Sequence, residues 1–279
     1  MLQQLNFPTR TLSLEKPLVM GILNITKDSF YDGGRYLSEE GILSRVEQIL
    51  AEDADLIDVG AMSTRSNAIE IPEAEERDTI RCGVQLIREH FPQALISIDT
   101  WRASVAAEAI AAGADMINDI SGGTFDPDLI PLVGEKQVPY CLMHTPAKPD
   151  IMQQCTHYED ILHEILHFLE QQLEKLQAEK VHDIMIDPGF GFGKTLGQNY
   201  FLMQHLEAFQ VFGLPLLVGV SRKSMIYKLL DVSPQDALNG TTVLNSYALL
   251  HGAKILRVHD VKAAVEARTI CEALMPKTL

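Results

Sequence analysis

Cysteine is scarce in this sequence. It has four, Cys82, Cys141, Cys155 and Cys271, and no CxxC pair among them. A chain of 279 residues does not need covalent staples, so free thiols in a reducing, cytoplasmic setting are expected. Long apolar runs are missing as well: none reaches roughly 18 uninterrupted residues, which leaves no candidate for a membrane-spanning helix. The opening MLQQLNFPTR has no basic stretch ahead of an apolar one, so no secretory leader is expected. Positive charge is in deficit, 23 Lys+Arg against 38 Asp+Glu for a formal charge of −15. That balance speaks against nucleic acid or a membrane surface as the partner, because both present phosphate that needs a basic face. It leaves room for a local basic site that holds a small anion. Internal repeats, low-complexity tracts and Gly/Ser linkers are absent.

What is present is a globular composition, 46% hydrophobic and 22% charged, enough to bury a sizeable core. Eight short runs rich in Ile, Val and Leu alternate with longer helical patterns. They are Leu18–Leu23, Asp55–Val59, Leu95–Ile98, Met116–Ile117, Val138–Met143, Ile184–Ile186, Leu216–Val220 and Ile255–Val258. Apolar residues at both alternating positions are expected of parallel strands covered on both faces. Between them, Ser38 is suited to cap a helix carrying Ile42, Val46, Ile49 and Leu50. Thr100 is placed to cap another that stops at Gly113, and Asp126-Pro127 puts proline in a first turn. Tyr158–Lys180 carries Leu162, Ile165, Leu169, Leu173 and Leu176 at helical period, and Gly252 ends a pattern that begins near Ala237. Eight β-α units with no linker read as one (β/α)8 barrel over residues 1–279, with its core at about 17–270. A doubly wound α/β sheet is the alternative.

A barrel does its chemistry where its strands end. Those ends carry Asn24, Asp58, Asp99, Asn118, His144, Asp187, Lys223 just past the seventh strand, and Arg257 with His259. Alternation along the strands places Ser97 with Asp99, Met116 with Asn118, Met185 with Asp187 and Arg257 with His259 on inward faces. Ile98, Ile117, Ile186 and Val258 then face the helices. Asp99, Asn118 and Asp187 suit a flat heterocycle with adjacent N–H groups, since a carboxylate accepts two parallel N–H bonds. Arg257, His259, Arg65 and Lys223, with the hydroxyls of Ser63 and Thr64, suit an anionic leaving group.

Two motifs mislead. His163-Glu164-Ile165-Leu166-His167 matches HExxH, but both histidines fall opposite the apolar stripe of their helix, with Glu170 and Glu174, and read as a solvated face. Gly189-Phe190-Gly191-Phe192-Gly193-Lys194-Thr195 looks like a phosphate loop, but Pro188 occupies the position where that motif needs its first glycine. A flexible loop at the site is the better reading.

In order along the chain, Gly21–Gly34, Asp58–Arg65, Ser97–Thr100, Asn118–Gly123, Asp187–Thr195, Ser221–Ser224 and Arg257–Asp260 resemble the signature segments of the dihydropteroate synthase family of pterin-binding barrels. The resemblance runs over roughly Pro17–Ile270. It implies condensation of 6-hydroxymethyl-7,8-dihydropterin diphosphate with 4-aminobenzoate to dihydropteroate and pyrophosphate, with sulfonamides as inhibitors and a homodimer as the assembly. By motif position Asp99, Asn118, Asp187 and Lys223 would hold the pterin, with Met143 and Phe192 lining its pocket. Asn24, Thr64, Arg65, Arg257 and His259 would hold the diphosphate, with Mg2+ at Asn24. Phe30, Ser66, Phe192, Ser221 and Lys223 would shape the aminobenzoate pocket. The catalytic set would be Asn24, Lys223, Arg257 and His259. The chain departs from the family pattern at Lys27, Met62, Ser66 and Asn67, all in the two loops assigned to aminobenzoate recognition. A methyltransferase branch of the same barrels, or a pterin-binding protein without turnover, are the competing readings.

Overall fold

The computed structural model describes residues 4–25, 39–61 and 71–274. The expectations for Ser38, Lys27, Phe30, Met62, Ser63, Thr64, Arg65, Ser66 and Asn67 lie outside those residues. The chain opens with an antiparallel pair, β1 (Gln4–Asn6) and β2 (Thr11–Ser13). Strands and helices then alternate: β3 (Leu18–Asn24), α1 (Glu39–Ala51), β4 (Leu56–Gly60), α2 (Glu73–His90), β5 (Ile96–Asp99), α3 (Ala103–Ala112), β6 (Met116–Asp119) and α4 (Leu129–Lys136). The second half continues with β7 (Tyr140–Met143), α5 (Ile161–Ala178), β8 (Ile184–Asp187), α6 (Leu196–Gln204), β9 (Leu216–Val218), α7 (Ser224–Leu230), α8 (Leu238–Leu250), β10 (Ala253–Val258) and α9 (Val261–Leu274). Strands β3 to β10 are all parallel, and β10 pairs with β3 to close the barrel. The (β/α)8 architecture expected from the sequence is the one adopted.

The strands alternate as expected, residue by residue. Ile98, Ile117, Ile186 and Val258 pack with the helices in one apolar layer outside the barrel. Met20, Leu56, Met116, Cys141, Met185, Leu217 and Ile255 fill the inside of its lower end. The amino-terminal hairpin, absent from the sequence reading, plugs that end: Leu5, Phe7, Leu12 and Leu14 join the same apolar cluster. It is tied down by Asp183, which accepts from Asn6 N at 2.8 Å and Asn6 Nδ2 at 3.0 Å, and by Lys254 Nζ donating to Leu14 O at 3.0 Å. The core therefore begins at residue 5, well before 17.

Boundaries differ in an instructive way. The sequence reading stopped strands at their last apolar residue, whereas Asn24, Asp99, Asn118 and Asp187 belong to the strands themselves. Their ladders continue, Asn24 paired with Gly60, Asp99 with Asn118 and Met143 with Asp187. Conversely β9 stops at Val218, two residues short of Val220. Thr100 is not the N-cap: α3 starts after Arg102, Asp126 accepts from Ala103 N at 2.7 Å, and Thr100 Oγ1 donates to Glu76 at 2.7 Å while accepting from Arg102 N at 3.2 Å. Gly113 does end that helix in the left-handed region, at φ 111°. Pro127 lies in the turn before α4, not in its first turn. In α5 the cap is Asp160, accepting from His163 N, and Glu164 is occupied by the backbone N–H groups of Glu159 and Asp160. His163 and His167 are exposed, as a solvated face requires.

Candidate active site

Above the apolar layer, the barrel interior turns polar within two residues on β4, β5, β6, β8 and β10. Two residues up from Leu56 on the same face of β4 is Asp58, completely buried. Ser97 Oγ donates to its Oδ1 at 2.6 Å, while Asn118 Nδ2 (3.0 Å) and Arg257 Nε (2.6 Å) both donate to its Oδ2. Arg257 reaches across the barrel and also donates from Nη2 to Asp99 Oδ2 at 2.7 Å. Burial works against the charge of Arg257, but Asp58 and Asp99 outweigh it and hold its pKa above the usual value. Three of the barrel's strands are thus tied through one guanidinium.

Asp99 is the group under most tension. Burial pushes its pKa up to about 7; Arg257 opposes that rise and Asp58 adds to it. Its Oδ1 is buried and without a hydrogen-bond partner among the described residues. An orphaned buried acceptor costs roughly 1–3 kcal/mol, so it is a site for a donor. Asp187, at the end of β8, is likewise raised by burial, against the pull of Lys223. Its Oδ1 accepts from Gly189 N at 2.7 Å. Burial lowers Lys223 to about 8, with Asp187 opposing. Its ammonium donates to Phe190 O and lies 4.6 Å over the Phe192 ring. Beside these acceptors stands an apolar cluster of Trp101, Ile120, Met143, Met152 and Phe192, suited to the face of a flat ring.

The rim supplies the anion-seeking groups. Ser221 Oγ lies 3.1 Å from both His259 N and His259 Nδ1, which joins the ends of β9 and β10. Asn24 is exposed at the end of β3, and a Cβ built on Gly60 would sit 3.6 Å from its Oδ1 and 3.5 Å from Asp99 Cβ. The amide oxygen therefore opens onto the same mouth as Asp99.

The glycine-rich segment after β8, expected from the sequence to be a loop at the site, is tied to itself and to the end of β7 through Lys194. Lys194 is buried, and its Nζ donates to Gly189 O at 2.8 Å and Phe192 O at 3.0 Å, with His144 Nδ1 at 3.1 Å. Gly189, at φ 75°, tolerates no side chain, because a Cβ would meet His144 O at 2.0 Å. Burial lowers Lys194 to about 7. His144 is correspondingly turned under this segment, edge-on to Phe168 at 5.0 Å, and does not join the mouth where its strand-end position had put it. Asp119, which follows Asn118 in its motif, is structural: it accepts from Ser121 N, Gly123 N and the Tyr140 hydroxyl.

Asp99, Asn118, Asp187, Lys223, Met143, Phe192, Ser221, Arg257, His259 and Asn24 thus come together around one mouth. Thr64, Arg65, Phe30 and Ser66 lie outside the described residues. Sequence reasoning gave no role to Asp58, Ser97, Lys194 or Trp101. Trp101, the only tryptophan, two residues past Asp99, was a readable signal; the convergence on Asp58 was not, since it joins strands 60 and 199 residues apart in the chain.

Residues 20–259 match the family described as pterin binding enzyme. The dihydropteroate synthase of Escherichia coli K12 is 40% identical over 267 residues, 95% of this chain and 94% of that protein. Among solved structures, that of Yersinia pestis dihydropteroate synthase in a sulfonamide drug complex superposes with a TM-score of 0.91 at 41% identity, over 97% of this chain and 98% of that one. The Xanthomonas albilineans enzyme with 4-aminobenzoic acid gives 0.90 at 34% identity, over 99% and 100%. With the barrel, the buried acceptors and the basic rim in agreement, the chain belongs to the pterin-binding enzymes and, within them, to the dihydropteroate synthases.

Proposed function

We propose that the barrel mouth joins 6-hydroxymethyl-7,8-dihydropterin diphosphate to 4-aminobenzoate, releasing pyrophosphate and 7,8-dihydropteroate. The observation that carries this reading is the buried, unpartnered Oδ1 of Asp99, set in the same rim as Asn118 and Asp187 beside an apolar wall. A pterin edge supplies the N–H donors that such acceptors lack, and its face suits Trp101, Met143 and Phe192. Binding energy gathered there fixes the exocyclic methylene between the departing diphosphate and the incoming amine, which is what this transfer most needs.

The reaction asks little else of the protein. As the C–O bond to diphosphate breaks, the electron-rich pterin carries positive charge on that methylene. Arg257 and His259, with Thr64 and Arg65, stabilise the departing anion. The aniline nitrogen is already a nucleophile and needs no strong base; it loses its proton once the C–N bond has formed. Lys223, over the Phe192 ring and 33 residues from the Phe190 carbonyl it binds, sits where pterin and aminobenzoate meet. Ser221, Phe192, Phe30 and Ser66 complete the aminobenzoate pocket. Sulfonamides, which mimic aminobenzoate, would compete for it.

Mg2+ fits the donor chemistry. No cluster of three acidic, His or Cys side chains suited to a metal occurs among the described residues, and Asn24 offers one exposed amide oxygen. That is the donor set of a hard cation held chiefly by phosphate oxygens and water. When bound, the ion would neutralise charge on the leaving diphosphate.

A second copy of the chain is the expected partner. Leu229, Leu230, Val243, Leu250, Ile270 and Leu274 leave large apolar side chains exposed on α7, α8 and α9. Four unpaired cysteines suit the cytoplasm. No helix among the described residues is long and apolar enough to cross a membrane.

Direct titration tests the order of binding. Aminobenzoate should bind tightly only once Mg2+ and pyrophosphate, or the pterin diphosphate, occupy the anion site. Equally tight binding to the bare protein would contradict the reading.

A further inference from the structure

Asp58 lies beneath the whole site, sealed from solvent, and the mechanism above gives it no part. Its cost is real. The layer just below is filled by Met20, Leu56, Met116, Met185 and Leu217, and an apolar residue at 58 would extend that packing. Removing a carboxylate and a guanidinium from water costs several kcal/mol per ion, and well-packed apolar pairs are often at least as stable. A buried carboxylate here calls for something beyond holding the barrel together.

The geometry of its two oxygens says what. Oδ1 is taken by Ser97 Oγ, a side chain with no other bond at this level. Oδ2 alone receives both Asn118 Nδ2 and Arg257 Nε. The first bond decides which way the Asn118 amide points, because only an N–H can face a carboxylate. Its carbonyl oxygen is therefore turned away from Asp58, with the second N–H left for the pocket. The second bond, with the Asp99 contact, fixes the guanidinium by Nε and Nη2 and leaves Nη1 without a partner among the described residues. One carboxylate oxygen thus orients one group from the heterocycle half of the site and one from the anion half.

We propose that Asp58 is a positioning residue that couples the pterin subsite to the diphosphate subsite, by holding the amide of Asn118 and the guanidinium of Arg257 on a single oxygen. It touches the reacting groups only through those two side chains. This inference rests on the proposed reading of the mouth as a pterin diphosphate site.

The test measures what Asn118 is worth with and without Asp58. Calorimetric titration of 6-hydroxymethylpterin into the wild-type protein and Asn118→Ala should show a loss of about tenfold or more. In an Asp58→Asn background the same Asn118→Ala change should cost no more than about threefold, since the amide is no longer aimed. Inorganic pyrophosphate, titrated separately, should bind more weakly to Asp58→Asn than to wild type. At saturating pterin diphosphate, the Michaelis constant for aminobenzoate should not move. Ser97→Ala is the control for stability: it removes the bond to Oδ1 but not the two bonds to Oδ2, so it lowers the melting temperature and leaves both affinities within about twofold. If Asp58→Asn does not fold, the Asp58→Asn/Arg257→Gln pair restores the wild-type balance of one carboxylate in excess, with Asp99 left ionised, and carries the same Asn118 comparison. An equal cost of Asn118→Ala in both backgrounds overturns the proposal. No cost of Asn118→Ala in wild type overturns the pterin reading beneath it, and the proposal with it.

Discussion

The two ends of this barrel are built on the same strands and filled in opposite ways. At the lower end every inward side chain is apolar, and a hairpin seals it with Leu5, Phe7 and Leu14. At the upper end, one pleat higher, the same strands bury Asp58, Asp99, Asn118 and Asp187 and leave Arg257 half-buried among them. Met185 and Asp187 show the contrast at its sharpest, two residues apart on one face of β8 and both buried. The lower end stores stability. The upper end spends part of it to hold charge out of water, with an acceptor of Asp99 unmatched until a ligand arrives.

Substitutions on that one strand give the largest expected effects and separate the two roles. Met185→Ala opens a cavity in the sealed layer and should cost about 2–5 kcal/mol of unfolding free energy. Michaelis constants should stay near wild type, as urea denaturation and steady-state kinetics on the same preparation would show. Asp187→Asn should do the reverse, presenting an N–H where the pterin also has one. A loss of about 1–3 kcal/mol in pterin affinity is expected, with little change in the melting midpoint. Unchanged pterin affinity would remove this carboxylate from the site.

How far the sequence disclosed this division depends on the range of the interaction. Alternation along a strand is local, so the inward face of β8 and the outward position of Ile186 could be read directly. The polar strand ends could be read too, and so could the solvated face of α5, where Glu164 turned out to be a cap. What escaped was set by partners distant in the chain. Asp58 acquires its role from Asn118 and Arg257, and Lys194 from three backbone carbonyls that only the folded loop brings together. The hairpin of β1 and β2 is too short to announce itself by pattern, and its apolar side chains matter only because a barrel end is waiting for them.

A middling effect follows from titration at the upper end. Asp99 is raised to about 7 by burial, so it loses its acceptor charge as pH falls through that value. Lys223 is lowered to about 8 by burial, so its ammonium is lost as pH rises past it. Turnover of the pterin diphosphate should therefore follow a bell, rising with pH on a limb near 7 and falling on one near 8. Lys223→Arg should abolish the alkaline limb, because a guanidinium does not titrate there. The lower end contributes nothing to that profile, because burial pushes its Cys141 thiol well above the usual thiol range and keeps it protonated.

The smallest effect concerns Ser66, which lies outside the described residues. A proline there would restrain the loop by about 0.4–1 kcal/mol, on the scale of unfolded-chain entropy carried over to loop closure. Sulfonamide inhibition, normalised to each protein's own Michaelis constant for aminobenzoate, should differ between wild type and Ser66→Pro. The sulfonyl substituent projects beyond the carboxylate it replaces and so meets the rim differently. Identical ratios would mean that Ser66 has no part in telling the two ligands apart.

The central claim is that the charged upper end carries out one transfer, from diphosphate to an aryl amine. A pyrophosphate-release assay with purified protein, Mg2+ and the pterin diphosphate tests it most directly. With 4-aminobenzoate present, pyrophosphate should appear in equal amount to dihydropteroate, and omission of either substrate should stop both. Pterin binding without any pyrophosphate release, or release that leaves the aryl amine unconsumed, would contradict the account.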